Sequence, residues 1–197
     1  MFISSCGMNS IEGMKKNIDN KSREIEDLKN YFNEIVPPNY IVRIQYNSSN
    51  NVDLFIYEPI SDSAKRETLF EQWDVNLDNY KETAQTDYEK KYRGKTKSLK
   101  LVNERLNWNR DTFRKLYRKL DNADCIGICN RKPIEIEYGF SGMALLSFLV
   151  FEENLTDEQK EEYSDDCMQM FYKENIVLQY GSGATGSLCT PEFNRKK

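Results

Sequence analysis

The chain has 197 residues, 39% of them hydrophobic and 30% charged, with a formal net charge of −4. This is the composition of a folded chain long enough to bury its own core, and its charge gives no overall pull toward nucleic acid. It contains no histidine, which excludes Ser-His-Asp and Cys-His nucleophile activation and histidine-ligated zinc, iron or copper.

Ile11, Met14, Ile18, Ile25, Leu28, Phe32 and Ile35 recur at spacings of three and four, with Lys21 in the one missing slot. This pattern predicts an amphipathic helix over 10–36, stopped by Pro37-Pro38. Fewer than four clean heptads favour packing on a sheet over a coiled-coil stalk. Val42, Ile44 and Tyr46 alternate, as do Val52, Leu54 and Ile56, around the polar stretch Asn47 to Asn51. They predict a β-hairpin with a five-residue turn, its second strand ended by Pro59. Leu69 to Leu77 fits either period and is assigned as a third strand, after a polar turn from Ser61 to Arg66.

Residues 80–121 are helical in composition. Tyr80, Ala84, Tyr88 and Tyr92 mark one helix, and Leu99, Val102 and Leu106 a second. Asn109 is the predicted N-cap of a third, carrying Phe113, Leu116, Tyr117 and Leu120, with Trp108 folded into the core. Short strands are expected over Cys125–Cys129 and Ile134–Gly139, joined around Asn130 to Pro133. Met143 to Phe151 is the most apolar run and the expected central strand. It falls well short of the about 18 apolar residues that a membrane-crossing helix needs. Thr156 and Gln159 form a capping box for a short helix reaching about Asp166. Met168–Tyr172 and Ile176–Tyr180 form a final hairpin. No linker divides the chain. The fold class expected is α+β: a mainly antiparallel sheet packed by the N-terminal helix and the central helical block.

Four patterns bear on chemistry. Gly181-Ser182-Gly183-Ala184-Thr185-Gly186 matches G-x-G-x-x-G after a strand, but no helix and second strand follow, so it reads as a polar loop and not a nucleotide site. From Lys90 to Lys119 there are 12 Lys or Arg against Glu104 and Asp111, and from Glu152 to Asp166 there are 8 acids against Lys160. Such runs are ordinarily solvated helix faces. Trp108, Phe113 and Tyr117 could stack on bases, yet the last two share the apolar stripe of the third helix and read as core. Nucleic acid is therefore not an expected partner. Glu135 and Glu137 share one face of a strand, where paired carboxylates could act as acid and base or hold a cation, although alternation is also the pattern of any half-exposed strand. The acidic helix lacks the ligand order and glycine of a calcium loop.

The five cysteines are Cys6, Cys125, Cys129, Cys167 and Cys189. The last four could pair in an oxidising compartment. Cys125 and Cys129 on one extended strand would lie roughly 13 Å apart, too far to pair with each other. Four-cysteine zinc ligation fits the spacing poorly, so small buried thiols are the expectation for these residues, with no metal or cofactor.

Ile3-Ser4-Ser5-Cys6 resembles the lipobox of bacterial lipoproteins: a branched apolar residue, two small residues that fit narrow peptidase subsites, then the cysteine. The Lys-, Asn- and Ile-rich composition is similar to that of lipoproteins from AT-rich bacteria such as the Bacteroidetes. The resemblance implies an acylated Cys6 as lipid anchor in the bilayer of the cell envelope. It also implies a basic and then apolar signal upstream of Met1. Residues 1–9 would be the remnant of that signal and a tether, and 10–197 a single domain. The function expected is non-catalytic binding, with a protein partner possible. Two alternatives stand beside it. One is a cytosolic, toxin-neutralising immunity protein that starts at Met1, with Cys6 an ordinary thiol. The other is a carboxylate-dependent enzyme acting on a glycan.

Overall fold

The computed structural model describes residues 10–59, 66–78, 99–164 and 167–181. In chain order they form α1 (Ile11–Ile35), β1 (Ile41–Ser48), β2 (Asn51–Pro59), β3 (Arg66–Asn76), α2 (Leu99–Leu106), α3 (Arg110–Asn122), β4 (Gly127–Cys129), β5 (Ile134–Ser141), β6 (Ala144–Val150), α4 (Asp157–Glu162), β7 (Gln169–Lys173) and β8 (Ile176–Gly181). The class is α+β. Eight strands make one sheet in the order β3-β2-β1-β4-β5-β6-β8-β7, and every pairing is antiparallel. Among the described residues no helix is long and apolar enough to cross a membrane. The predicted helix around Tyr80 to Tyr92 and the turn after Pro59 lie outside the described residues.

The apolar stripe of α1 is buried from Ile11 to Phe32 in one core with the sheet and the central helices. Ser10 caps it by accepting a hydrogen bond from the Gly13 N–H, and Val36, just before the two prolines, is extended and ends it. The gap in the stripe has a structural consequence. Lys21 takes φ −122°, ψ 18°, which kinks the helix. Its ammonium donates to the Asn122 carbonyl at 2.9 Å and lies 3.5 Å from Asp124. One turn earlier, Asn17 donates to the Ala123 carbonyl at 3.0 Å. Two polar side chains on the inward face thus tie α1 to the end of α3, where apolar residues would only have packed.

The β1–β2 hairpin buries Val42, Ile44, Val52, Leu54 and Ile56 toward α1, as alternation requires. The turn is tighter than the predicted five residues. Ser48 pairs with Asn51, and an irregularity between Tyr46 and Ser48 absorbs the misfit. Polar composition marked this loop, but Asn47 and Asn51 belong to the strands, where their side chains bond each other at 3.2 Å. Leu69 to Leu77 resolves in favour of the strand. β2 and β3 pair with two register shifts, which explains why neither a clean twofold nor a helical period ran through that segment.

In the helical block Asn109 caps α3 by accepting from the Asp111 and Thr112 backbone N–H groups, and Thr112 returns a bond to complete the box. Asn107, at φ 55°, supplies the left-handed residue that ends α2. The turn puts Trp108 into the core at 2% exposure, edge-on to Phe32 and Phe113, with its indole N–H donating to the Ile35 carbonyl at 2.9 Å. That bond satisfies both a buried indole and a C-terminal carbonyl of α1.

β6 is buried along its whole length, but the middle of the sheet is β4–β5, so the expectation of a central β6 is corrected. An unbroken apolar run reports burial on both faces, not position in the strand order. The second face of β6 is covered by a satellite cluster of Leu149, Leu155 and Val177 with Phe151, Tyr163 and Phe171 around them. Thr156 and Gln159 form the predicted capping box of α4, which ends at Glu162, short of the expected Asp166. Cys125 precedes β4 and is not on it.

Replacing Asn109 with alanine removes both backbone N–H bonds its side chain accepts and leaves, of the capping box, only the backbone N–H bond to Thr112. It should lower stability by about 1 kcal/mol in urea unfolding, without loss of helical circular dichroism at low denaturant.

Candidate functional site

The face of the sheet turned away from α1 holds an unusual density of polar groups for a buried surface. Register places Asp53, Gln45, Gly127, Glu137, Ser147 and Gln179 in one row across the strands. Phe55, Arg43, Cys129, Glu135, Leu149 and Val177 form the next. Asp53, Gln45, Glu137 and Ser147 are all buried. Their placement follows from alternation: Val42, Ile44, Ile136 and Phe148 point to the main core, so the intervening residues point here.

Glu137 is fully buried. Its Oε1 accepts from Arg43 Nε at 2.6 Å, across the whole width of β4. Its Oε2 has no hydrogen-bond partner. Gly127 makes the crossing possible. A Cβ there would collide with Glu137 Oε2 and come within 2.8 Å of the Ile44 carbonyl, so a side chain at this position would take the space the carboxylate occupies. Burial pushes Glu137 up to about 7 from an ordinary 4.5, against the attraction and hydrogen bond of Arg43, with Glu135 and Asp53 adding repulsion. Arg43 also lies over the Phe55 ring at 5.6 Å. Burial raises Asp53 too, although the Asp74 N–H at 2.8 Å and Asn47 at 3.1 Å both donate to it.

The sequence correctly put Glu135 and Glu137 on one face of a strand, but the two carboxylates have separate partners. Glu135 accepts from the Ser147 hydroxyl at 3.1 Å while Glu137 serves Arg43. A fully buried Glu137 cannot touch a glycan, and no group of three or more His, Cys, Asp or Glu among the described residues is arranged to hold a metal ion. Arg43 was missed because, on a half-exposed strand, a lone arginine reads as solvated. The available signal was Gly127, a glycine inside a strand next to a carboxylate-bearing neighbour.

Cys125 and Cys129 are free and buried. Burial raises the Cys125 thiol far above its ordinary range and pushes Cys129 up to about 11. Burial therefore keeps both as neutral thiols near neutrality, which weakens them as nucleophiles. Cys167 is disulfide-bonded, and with these two thiols free its partner lies outside the described residues. Cys6, the predicted lipid anchor, and Cys189 also lie outside them. Of the glycine-rich motif only Gly181 is described, as the last residue of β8.

The basic run loses much of its free charge where it is described. Arg110 pairs with Asp78, Arg114 with Asp111 at 3.2 Å and Lys119 with Asp27, while Lys115 lies over the Tyr31 ring. Phe113 is core, and Tyr117 packs on the core against Tyr46. Residues 90–98 of the run lie outside the described residues.

A cleft of about 300 Å³ opens at the end of β5 and β6, lined by Lys132, Pro133, Ile134, Val150, Phe151, Glu152 and Tyr163. The Lys132–Pro133 bond is cis. Phe151 and Tyr163 meet edge to face at 5.0 Å beside it. Lys132 and Glu152 pair at 3.2 Å, both mostly in solvent. Such an exposed pair contributes about 0–1 kcal/mol and can part at little cost. The cleft is at the small end of ligand sites, with an apolar floor and charged groups only at the rim. It can hold an apolar ring or side chain, and its lining includes no thiol and a single carboxylate, Glu152.

No family model matches the chain, and comparison with curated proteins and with solved structures finds no significant match.

Two outcomes are expected. Replacing Gly127 with alanine should cost about 1–3 kcal/mol in urea unfolding, because the new methyl displaces Glu137 or the β1 backbone. Native protein treated with a maleimide should retain unmodified Cys125 and Cys129 by mass spectrometry and take up label at both once unfolded. Rapid native labelling of either would contradict the burial described.

Proposed function

We propose that the chain is the body of a bacterial envelope lipoprotein, held to a membrane by an acylated Cys6 and acting by binding and not catalysis. The observation that carries the anchor is Ile3-Ser4-Ser5-Cys6 itself, followed by a tether of only Gly7, Met8 and Asn9 before the helix cap at Ser10. A domain that starts that close to its anchor would stand directly on the membrane surface. The disulfide at Cys167 supports an oxidising compartment. The binding role is supported by the chemistry of the described residues. There is no histidine, the two free thiols are buried, and the one paired-carboxylate candidate is locked in a sheet face. The cleft beside Phe151 and Tyr163 offers a recognition surface with an apolar floor and a charged rim.

The anchor and the disulfide constrain each other. If Cys6 carries lipid, it cannot be the partner of Cys167, which leaves Cys189. Mass spectrometry of the protein from its native membrane should therefore find an acylated Cys6 at the N-terminus and, without reduction, a Cys167–Cys189 linked peptide. An unmodified Cys6 preceded by Met1, or a Cys6–Cys167 peptide, would overturn the reading.

A further inference from the structure

The sheet is joined through its smallest strand. β4 has three residues, and it alone connects the β3-β2-β1 half to the β5-β6-β8-β7 half. Its ladder is extended by the Tyr46 N–H to the Ile126 carbonyl, the Ile126 N–H to the Glu137 carbonyl and the Asn130 N–H to the Val42 carbonyl. The Asn130 side chain adds a bond to each end of the Tyr40–Val42 segment. The one side-chain pair crossing the ladder from half to half on the second face is, among the described residues, Arg43 with Glu137. We propose that this pair is a proton-dependent seam: gain or loss of one proton at Glu137 changes how firmly the two halves of the sheet are held together across β4.

The geometry gives the proton a structural effect. Glu137 has no contact with water, and only one of its oxygens is bonded. An ionised carboxylate leaves Oε2 with a full share of charge and no donor, whereas a protonated one removes that charge. The groups facing Glu137 are unbalanced. β1 supplies Arg43, β2 supplies Asp53, β4 supplies the neutral Cys129 thiol, β5 supplies Glu135 and β6 supplies only the Ser147 hydroxyl. Arg43 therefore faces three carboxylates, while Arg131 acts on the neighbouring Cys129. Burial outweighs Arg43, and the folded value rises to about 7 from 4.5. The sign follows. A carboxyl raised on folding stabilises the closed seam fully below its ordinary value of 4.5, and that contribution is lost as pH climbs through about 7. The seam tightens in acid and loosens above neutrality. β5 and β6 also carry Ile134 and Val150 of the cleft, which therefore lies on the β5-β6-β8-β7 side of the seam.

The test is amide hydrogen exchange of the full chain between pH 5 and pH 8, expressed as protection factors so that the intrinsic pH dependence cancels. In the wild type, protection at Tyr46, Ile126 and Asn130 should fall by at least about tenfold over that range. Amides in the β6–β8 ladder should stay level. In Glu137→Gln, which keeps an acceptor for Arg43 and gains a donor where Oε2 had none, the fall should vanish. An equal fall in wild type and variant would overturn the proposal, as would a fall shared equally by every strand. Should the variant not fold, the side-chain carboxyl ¹³C shift of Glu137 in the wild type decides. A titration midpoint near 7 that tracks the β4 protection supports the seam, and a midpoint below 5 refutes it.

Discussion

Arg43 reaches over β4 to Glu137, and Gly127 lies beneath because nothing larger fits under that crossing. The constraint runs outward from there. β4 must present glycine at 127, so its one side chain on that face is the small buried thiol of Cys129. The halves on either side are then held by a short backbone ladder, one charge pair and the helices on the opposite face. A buried pair of this kind is weak evidence for stability, since desolvating both groups costs much of what their attraction returns. Its effect is on arrangement. Removing either partner would leave the other buried alone, so the pair fixes β1 against β5 in one register.

Much of the fold was legible because its main signals are local. The stripe of α1, the Asn109 cap, the alternation of β1 and β2 and the capping box at Thr156 each depend on residues within one turn or one strand. Even the flaw in the α1 pattern was informative, since Lys21 marks the kink. What the sequence could not convey was which strand lies beside which. β1 pairs with β4 over more than 80 residues, and nothing in either strand announces the other. The same distance hid the site. Glu137 was visible as a carboxylate on a strand face, but Arg43 and Gly127 acquire meaning only once β1, β4 and β5 are adjacent. The tightness of the β1–β2 turn was missed for a different reason, because Asn47 and Asn51 are loop-like in type yet bond to each other within the ladder.

The polar face and the cleft divide the molecule's chemistry in a consistent way. Among the described residues, the carboxylates of the polar face and the free thiols are buried or bonded: Glu137 with Arg43, Glu135 with Ser147, and Cys125 and Cys129 as neutral thiols. Groups at the cleft are an exposed ion pair and two aromatic rings beside an apolar floor.

The account stands most directly on the claim that Arg43 and Glu137 act as a unit across β4. A double-mutant cycle on Arg43→Met and Glu137→Gln, read by urea unfolding at pH 8, measures it. Coupled partners should show an interaction energy of about 1–3 kcal/mol, the double variant departing by that much from the sum of the two single changes. Additivity to within about 0.5 kcal/mol would contradict it, leaving the two halves of the sheet joined by the β4 backbone and the helices alone.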